Sequence, residues 1–265
     1  MCAAARVTTN RDVVAVTSLY DELFVWLDRE MNQIAVYSIN DYQLLRHLHV
    51  PWLKPRYKND ITTCVNCLYM SDFDNRCIRR SDLVGCAITW WPLPFCPIGL
   101  SVTPNDNLLV IRHKGRELME LCAYSGQCVR QIALQPDIEW PWYGVQLTTG
   151  QYVVCHGQWD DDSLQRVCLV DDDGKVTRSY GGQRGSNVGQ LDYPCHLAVD
   201  EDSQSIFVAD FHNNRVVLLS ETLEFVRYVH VSEELSKPHQ LYLHQATRRL
   251  FVGQQGEHDV TVIQL

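Results

Sequence analysis

The sequence lacks several features that would place it in a common class. Its first ten residues, MCAAARVTTN, contain no apolar h-region of a secretory signal. We therefore expect a cytoplasmic, reducing location, in which the eleven cysteines are free thiols. No charged residue occurs from 83 to 105, but Pro92, Pro94 and Pro97 would break a membrane helix in this stretch. We predict no membrane partner.

What the sequence does contain is a repeated unit. From Ile206 to Ser220 it reads IFVADFHNNRVVLLS, which is two apolar runs around a polar turn and is typical of a β-hairpin. A period near 44 residues that is made of strands predicts a β-propeller or a solenoid. The same kind of apolar run ends at Asp28, Asp72, Arg112, His156, Asp210 and Gln254, with spacings of 44, 40, 44, 54 and 44 residues.

Each period has room for four strands, which we call a to d, and the six runs predict six blades. The last unit ends at Leu265 after its third strand, DVTVIQL. A spare strand, ARVTTN at residues 5–10, precedes the first strand a. If this strand supplies the missing strand d, the ring closes and no sheet edge is left bare, which favours the propeller. We predict an all-β, six-bladed propeller that forms a single domain over residues 1–265.

The unit that begins at Gly181 resembles an NHL repeat. That family's pattern is a glycine-rich lead-in, a proline opening strand a, then AVD, VAD and NRV. The matching residues are Gly181, Gly182, Gly185, Gly189, Pro194, Ala198 to Asp200, Val208 to Asp210 and Asn214 to Val216. Other units keep the proline (Pro97, Pro141, Pro238) or the aspartate (Asp28, Asp72), whereas Arg112, His156 and Gln254 depart from it. The resemblance covers the period of the whole chain and the detail of one blade.

The resemblance implies a recognition module similar to the propeller of tripartite-motif ubiquitin ligases, which binds protein segments or single-stranded RNA. It also extends to an amidating lyase with a metal site. The sequence contains no RING finger, B-box or coiled coil, so it would not transfer ubiquitin by itself. The leading hypothesis is a non-enzymatic protein-interaction module, an adaptor in the ubiquitin pathway, that is monomeric as an isolated domain. The alternatives are a single-stranded RNA binder and a metal-dependent lyase or hydrolase.

A propeller presents its d-to-a connectors and b-to-c loops on one face, which we call the mouth face; the opposite face is the turn face. Function is expected on the mouth face, because loops vary without unfolding the ring. Aromatic residues can anchor peptides or stack on bases, or they can pack between neighbouring blades. The aromatic residues assigned to the connectors are Trp52, Tyr57, Trp90, Trp91, Trp140, Trp142, Tyr143 and Tyr193.

Charges on the predicted mouth face form sectors. Lys54, Arg56 and Lys58 lead into the second blade. Arg112, Lys114 and Arg116 give the third blade a basic loop, and residues 160–162 give the fourth blade an acidic one. Such polarity suits a protein partner of matching charge, although ordinary solvated loops would look the same. Residues 134–265 hold 9 Lys and Arg against 19 Asp and Glu, which argues against strong non-specific phosphate binding.

Metal sites find little support. Cys64 and Cys67 form a C-x-x-C pair across a predicted a-to-b turn. The next cysteines, Cys77 and Cys86, belong to separate predicted strands, so four zinc ligands are not expected to converge. We predict no metal and no cofactor.

Two histidines are the remaining candidates for chemistry. His196 and His239 closely follow the prolines that open two strands a, and we include them in the predicted binding face. The corresponding positions of other units, Ile98, Trp142 and Tyr143, supply no third ligand, and two ligands do not make a catalytic zinc site. We predict no catalytic residue.

Overall fold

The computed structural model describes residues 4–28, 32–51, 53–83, 88–158, 163–229 and 234–265. Twenty-four strands fall in these ranges and form six antiparallel sheets of four strands each. Two short 3-10 turns, Phe211–Asn213 and Gln245–Thr247, complete the regular structure. The predicted six-bladed β-propeller is confirmed. Among the described residues, no helix is long and apolar enough to cross a membrane.

The first three blades follow the order of the chain. Blade 1 contains β2 (Val13–Leu19), β3 (Glu22–Leu27), β4 (Gln33–Ser38) and β5 (Leu44–His49). Blade 2 contains β6 (Ile61–Cys64), β7 (Cys67–Asp72), β8 (Cys77–Asp82) and β9 (Ile88–Pro92). Blade 3 contains β10 (Pro97–Val102), β11 (Asn107–Arg112), β12 (Glu117–Cys122) and β13 (Cys128–Ala133).

The next two blades repeat this order, and the sixth is completed from the other end of the chain. Blade 4 contains β14 (Pro141–Gln146), β15 (Tyr152–His156), β16 (Gln165–Val170) and β17 (Val176–Gly182). Blade 5 contains β18 (Pro194–Val199), β19 (Ile206–Asp210), β20 (Arg215–Leu219) and β21 (Phe225–Tyr228). Blade 6 contains β22 (Pro238–His244), β23 (Arg249–Gln254), β24 (Asp259–Gln264) and β1 (Ala4–Thr8).

The N-terminal strand closes the ring as predicted. β1 pairs antiparallel with β24, in a register that runs from Ala4 opposite Ile263 to Thr8 opposite Asp259. The strand ends two residues earlier than the sequence suggested. Val7 is fully buried among the apolar residues that pack blade 6 against blade 1. The edge of β24 is thereby covered and the sheet has no open side there.

The core is divided among the six interfaces between neighbouring blades. In β3, Leu23, Val25 and Leu27 pack toward blade 6, whereas Phe24 and Trp26 pack toward blade 2. Because successive side chains of a strand point to opposite faces, a blade that is covered on both faces needs an unbroken apolar run. This is why the second strands of the repeat are the most apolar segments and were the easiest to recognise in the sequence.

Candidate functional site

In five blades the innermost strand, which is strand a, carries an irregularity close to the mouth face. Its pairing with strand b shifts by one residue, between Val13 and Ala15, Pro97 and Leu100, Pro141 and Tyr143, Pro194 and His196, and Pro238 and Gln240. A β-bulge interrupts the strict alternation of side chains along a strand. As a result, the consecutive residues Trp142 and Tyr143 line one cavity. Cys195 and His196 line the same cavity.

This cavity, which we call the mouth cavity, has a volume of about 650 Å³. The starts of the inner strands form its lower part, and Lys114, Gln158 and Phe211 come from b-to-c loops. The predicted convergence of the connectors and the b-to-c loops is thus confirmed. Pockets of roughly 300 to 1,000 Å³ are the usual size for binding a small molecule or the side chains of a partner.

Most of the residues that the sequence singled out come together in this cavity. The predicted residues that line it are Tyr57, Lys114, Trp140, Trp142, Tyr143, Tyr193, His196 and His239. His196 and His239 are not equivalent, because His196 lies two residues after its proline and His239 lies one residue after its own. They occupy the two successive positions at the bulge, and both reach the cavity.

Two predicted aromatic residues lie elsewhere. Trp90 and Trp91 belong to β9, the outermost strand of blade 2, and not to a connector. Trp90 is 61% exposed at the outer rim of the ring. Trp91 packs against Tyr69 with ring centroids 5.8 Å apart and covers Gly126 of blade 3. Trp91 is therefore an inter-blade packing residue, and the assignment of both to the mouth was wrong.

The remaining predictions on this face have mixed outcomes. Arg112 does not line the cavity, because its guanidinium is ion-paired with Glu117 at 2.9 Å and lies over the ring of Phe95. Arg116 also lies outside the cavity and donates a hydrogen bond to the carbonyl of Pro136. Trp52 and the acidic loop 160–162 lie outside the described residues.

Blade 2 contributes Asn59 and Asp60, which were not predicted, and Lys58, which the sequence placed in a basic sector of the mouth face. Lys58, Asn59 and Asp60 all line the cavity. Lys58 stands two residues before Asp60, just as Pro141 stands two residues before Tyr143. The proline that marked this position in other blades is replaced here, so the motif did not reveal it. Counting backwards from the end of the second strand would have done so.

Aromatic rings form one wall of the mouth cavity. The ring centroids of Trp142 and Tyr193 are 5.1 Å apart, and those of Tyr193 and His212 are 5.4 Å apart. The Trp142 indole Nε1 donates a hydrogen bond of 2.8 Å to the carbonyl of Gly157. Trp140 contacts His113, with centroids 5.9 Å apart. These contacts hold the rings in place, so the wall is already formed before anything binds.

A basic cluster stands beside this wall. The Lys58 Nζ lies 3.2 Å from the His113 Nε2, and the Lys114 Nζ lies 4.6 Å from the centroid of the Trp140 ring. Burial, and then the charges of Lys58 and Lys114, lower the pKa of His113 to about 4. The imidazole is therefore neutral near pH 7 and accepts a hydrogen bond from the Lys58 ammonium.

The floor of the cavity joins several blades. The Asp60 carboxylate accepts hydrogen bonds from the backbone N–H groups of Ile61 (2.9 Å) and Leu100 (2.8 Å). The His196 ring stacks on Tyr143 at 3.7 Å between centroids, and its Nε2 lies 3.8 Å from Asp60 Oδ2. The Tyr143 hydroxyl donates to the carbonyl of Leu100 at 3.1 Å. These three side chains meet from blades 2, 4 and 5 at the floor of the cavity.

A second cavity of about 550 Å³ lies below this floor, and Tyr143 lines both. Threonines such as Thr63, Thr103 and Thr148 contribute to its wall. The cavity was not foreseen because it forms between the inner strands, below the turns that the sequence displays.

Several buried polar atoms at the floor form no hydrogen bond. Within the described part of the chain, Asn59 Oδ1, His196 Nε2, His239 Nδ1 and Gln240 Oε1 have no hydrogen-bond partner. The His239 Nε2 bonds the carbonyl of Val13 at 2.7 Å, and burial lowers the pKa of His239 to about 4, so its Nδ1 is an acceptor near pH 7. An unpaired buried polar atom costs roughly 1 to 3 kcal/mol. Three of these four atoms are acceptors, so the floor favours groups that donate hydrogen bonds.

A thiol and a histidine–carboxylate pair are the groups at the floor that could take part in chemistry. Burial raises the pKa of the Cys195 thiol well above its ordinary value, so it is protonated and a poor nucleophile. His196 and Asp60 are too far apart for a hydrogen bond. In the ranges that the structure describes, no three His, Cys, Asp or Glu side chains are grouped to hold a metal ion.

The C-x-x-C pair lies far from this cavity. Cys64 and Cys67 face each other across the β6–β7 turn at the turn face. Cys77 pairs with Asp72 at the opposite end of the same sheet, as expected for cysteines on separate strands. Cys86 lies outside the described residues.

No family model matches the chain, and no curated protein matches it in sequence. Its fold is similar to that of virginiamycin B lyase from Staphylococcus aureus, with a TM-score of 0.68, 10% identity and all of both chains covered. It is also similar to hydrazine synthase of Kuenenia stuttgartiensis (TM-score 0.68, 13% identity, 97% of each chain). A third similar structure is the Cps50 (Swd1) propeller of Myceliophteria thermophila (TM-score 0.64, 11% identity, 96% of this chain and 83% of that one). At these identities the likeness shows the β-propeller fold alone. The NHL resemblance stays a prediction.

Proposed function

We propose that this chain is a non-enzymatic recognition module that binds a segment of a protein partner in the mouth cavity. The observation that carries the proposal is the cavity itself. It is of ligand-binding size and has a preformed aromatic wall beside a basic cluster. In this it would be similar to the substrate-recognition propellers of the tripartite-motif ligases, acting in the cytoplasm.

The chemistry of the cavity supports recognition over catalysis. A partner gains affinity from a side chain that is desolvated against rigid aromatic rings, and the Trp142–Tyr193 wall offers such a surface. A cavity of this volume suits one or two side chains of an extended segment. The protonated thiol of Cys195 gives no nucleophile at this position.

Selection of displayed random peptides on the purified protein tests the proposal. Selected peptides would be synthesised and their affinities measured by calorimetry for the native protein and for Trp140→Ala. Trp140 contacts the cavity through its ring and is only half-buried, so its removal should spare the fold. Loss of a hot-spot tryptophan costs about 2 kcal/mol or more, which is roughly a thirtyfold loss of affinity.

Trp90→Ala is the matched control, because Trp90 is an exposed tryptophan of the outer rim. It should leave the affinity unchanged. Peptides whose binding is lost in Trp90→Ala and kept in Trp140→Ala would show that the recognition surface lies on the rim and would contradict the proposal. Failure to select any peptide would contradict it too.

One enzymatic alternative has a specific observation behind it. Two histidines, His196 and His239, reach the mouth cavity, and lyases are among the proteins that share the fold. One of the similar structures is an inactive histidine-to-alanine variant of virginiamycin B lyase with quinupristin. Incubating this protein with quinupristin and following the product by mass spectrometry tests the alternative. If the native protein converts quinupristin and His196→Ala does not, the enzymatic alternative would replace the recognition proposal.

A further inference from the structure

Two lysines share the aromatic wall of the mouth cavity, and among the residues that the structure describes neither of them forms an ion pair. Lys58 and Lys114 both line the cavity, and their contacts are with His113 and with the rings of Phe73 and Trp140. Among the described lining residues the one carboxylate is Asp60. Its two oxygens already accept backbone hydrogen bonds at the floor, so it is not available to the lysines.

This arrangement holds like charges near each other in a partly dehydrated place. Burial lowers the pKa of Lys58, and the charge of Lys114 lowers it further. His113 accepts a hydrogen bond from Lys58 as a neutral group and cannot compensate either charge. A bound anion would remove the repulsion and would regain Coulomb energy for both ammonium groups, with little reorganisation of the wall.

We infer that the mouth cavity recognises an acidic side chain of a peptide, held between Lys58 and Lys114, next to an apolar or aromatic side chain that packs on Trp140 and Trp142. The inference rests on the proposed function and deepens it. The anion is held at the wall, because the floor presents the Asp60 carboxylate and a majority of hydrogen-bond acceptors, which repel a negative group.

A peptide carboxylate fits this site better than a nucleic acid. A groove that follows a phosphate backbone needs a succession of basic groups along several nucleotides. Here the described lining of the cavity supplies two lysines. Arg112 is ion-paired with Glu117, and Arg116 donates a hydrogen bond to the carbonyl of Pro136. The second half of the chain also carries a large excess of acid, which disfavours a long polyanion.

A matched pair of probes tests the inference directly. Indole-3-acetate and tryptamine carry the same indole ring with opposite charges, and ligand-observed NMR titration measures the affinity of each. The native protein should prefer indole-3-acetate, by about fivefold for each lysine that it contacts. The double variant Lys58→Glu, Lys114→Glu should prefer tryptamine. Lys114→Glu alone, at an exposed position, gives an intermediate result if the double variant does not fold.

The control is Lys54→Glu with Lys175→Glu, two exposed lysines outside the cavity whose replacement changes the net charge by the same amount. It should keep the preference of the native protein. Equal affinity for both probes in the native protein would overturn the inference, and so would the absence of binding by either probe. The proposed recognition function would then still be tested by the peptide selection. Displacement of indole-3-acetate by oligouridylate, with an affinity that falls steeply as salt is added, would overturn the choice of a peptide carboxylate in favour of RNA.

Discussion

The N-terminal strand should decide the stability of the whole ring. β1 is the one strand of blade 6 that comes from the other end of the chain, and it covers the edge of β24. Truncation of residues 1–9 removes this strand. The edge of β24 is then exposed as a template for pairing with another molecule. We expect the truncated protein to unfold at a lower temperature and to aggregate.

The magnitude follows from what the strand contributes. Five residue pairs join β1 to β24, from Ala4 to Thr8. Each backbone hydrogen bond contributes about 0.5 to 1.5 kcal/mol net. Val7 is fully buried, and Val7→Ala alone removes about two methylene equivalents and leaves a cavity, which costs about 2 kcal/mol. The truncation therefore removes a large share of a typical total stability of about 5 to 15 kcal/mol.

Thermal unfolding followed by circular dichroism, with light scattering for aggregation, measures both changes. For a chain of this size we expect Val7→Ala to lower the melting temperature by about 4 to 8 °C. Thr8→Ala is the control, since the Thr8 side chain is exposed and its backbone pairing is kept. If the truncated protein melts like the native one and stays monomeric, blade 6 does not depend on the N-terminal strand and the reasoning is wrong.

Two further predictions concern individual groups. A hydrogen bond with Ser125 lowers the pKa of Cys122, whereas burial raises the pKa of Cys168 to about 12. Brief alkylation of the native protein, read by mass spectrometry, should therefore label Cys122 and spare Cys168. Labelling of Cys168 before Cys122 would contradict this. The Arg248 guanidinium lowers the pKa of Asp200 to about 2, so their contact stabilises the fold above the unfolded pKa of 3.8 and is lost as the pH falls toward 2. In urea titrations Arg248→Gln should be less stable than the native protein near pH 6, and the difference in stability should narrow as the pH falls below 4. The control Arg112→Gln, in a more exposed ion pair, should lose almost no stability at either pH. A loss of stability in Arg248→Gln that does not change with pH would mean that packing and not charge is lost.

The architecture could be predicted because the repeat is encoded by burial. Each second strand is covered on both faces, so it must be an apolar run, and the run ends where the chain reaches the mouth face. Asp72, Asp210 and Gln254 mark such ends in both the sequence and the structure. Closure of the ring could also be predicted, because the spare strand at the N-terminal end can pair with the exposed edge of the last blade, which lacks one strand.

The site could be predicted only where a sequence mark survives. Pro141 and Pro194 pointed to Trp142, Tyr143 and the residues after Pro194, and these do line the cavity. In blade 2 the proline is replaced by Lys58, which the sequence indicated only as a charge of the mouth face, so Asn59 and Asp60 were missed. The misplacement of Trp90 and Trp91 has a different cause. Both stand at the end of the fourth strand of blade 2, directly before a proline-rich connector, and they were counted with that connector although they belong to the strand, β9.

Backbone geometry separates the two roles that an aromatic residue can have at the mouth. Trp140 precedes Pro141 and has φ of 55°, a left-handed conformation that disfavours a bulky side chain. Lys237, before Pro238, has φ of 44°, so the conformation belongs to the connector and not to the tryptophan. Glycine or asparagine would satisfy this backbone at lower cost, and the Trp140 ring is only half-buried. The backbone of the connector therefore does not require a tryptophan at this position. Trp142, by contrast, packs into two inter-blade clusters and bonds Gly157 through its indole, so its loss would damage the fold as well as the cavity. Replacement of Trp140 is for this reason the change that can remove binding while the ring stays folded.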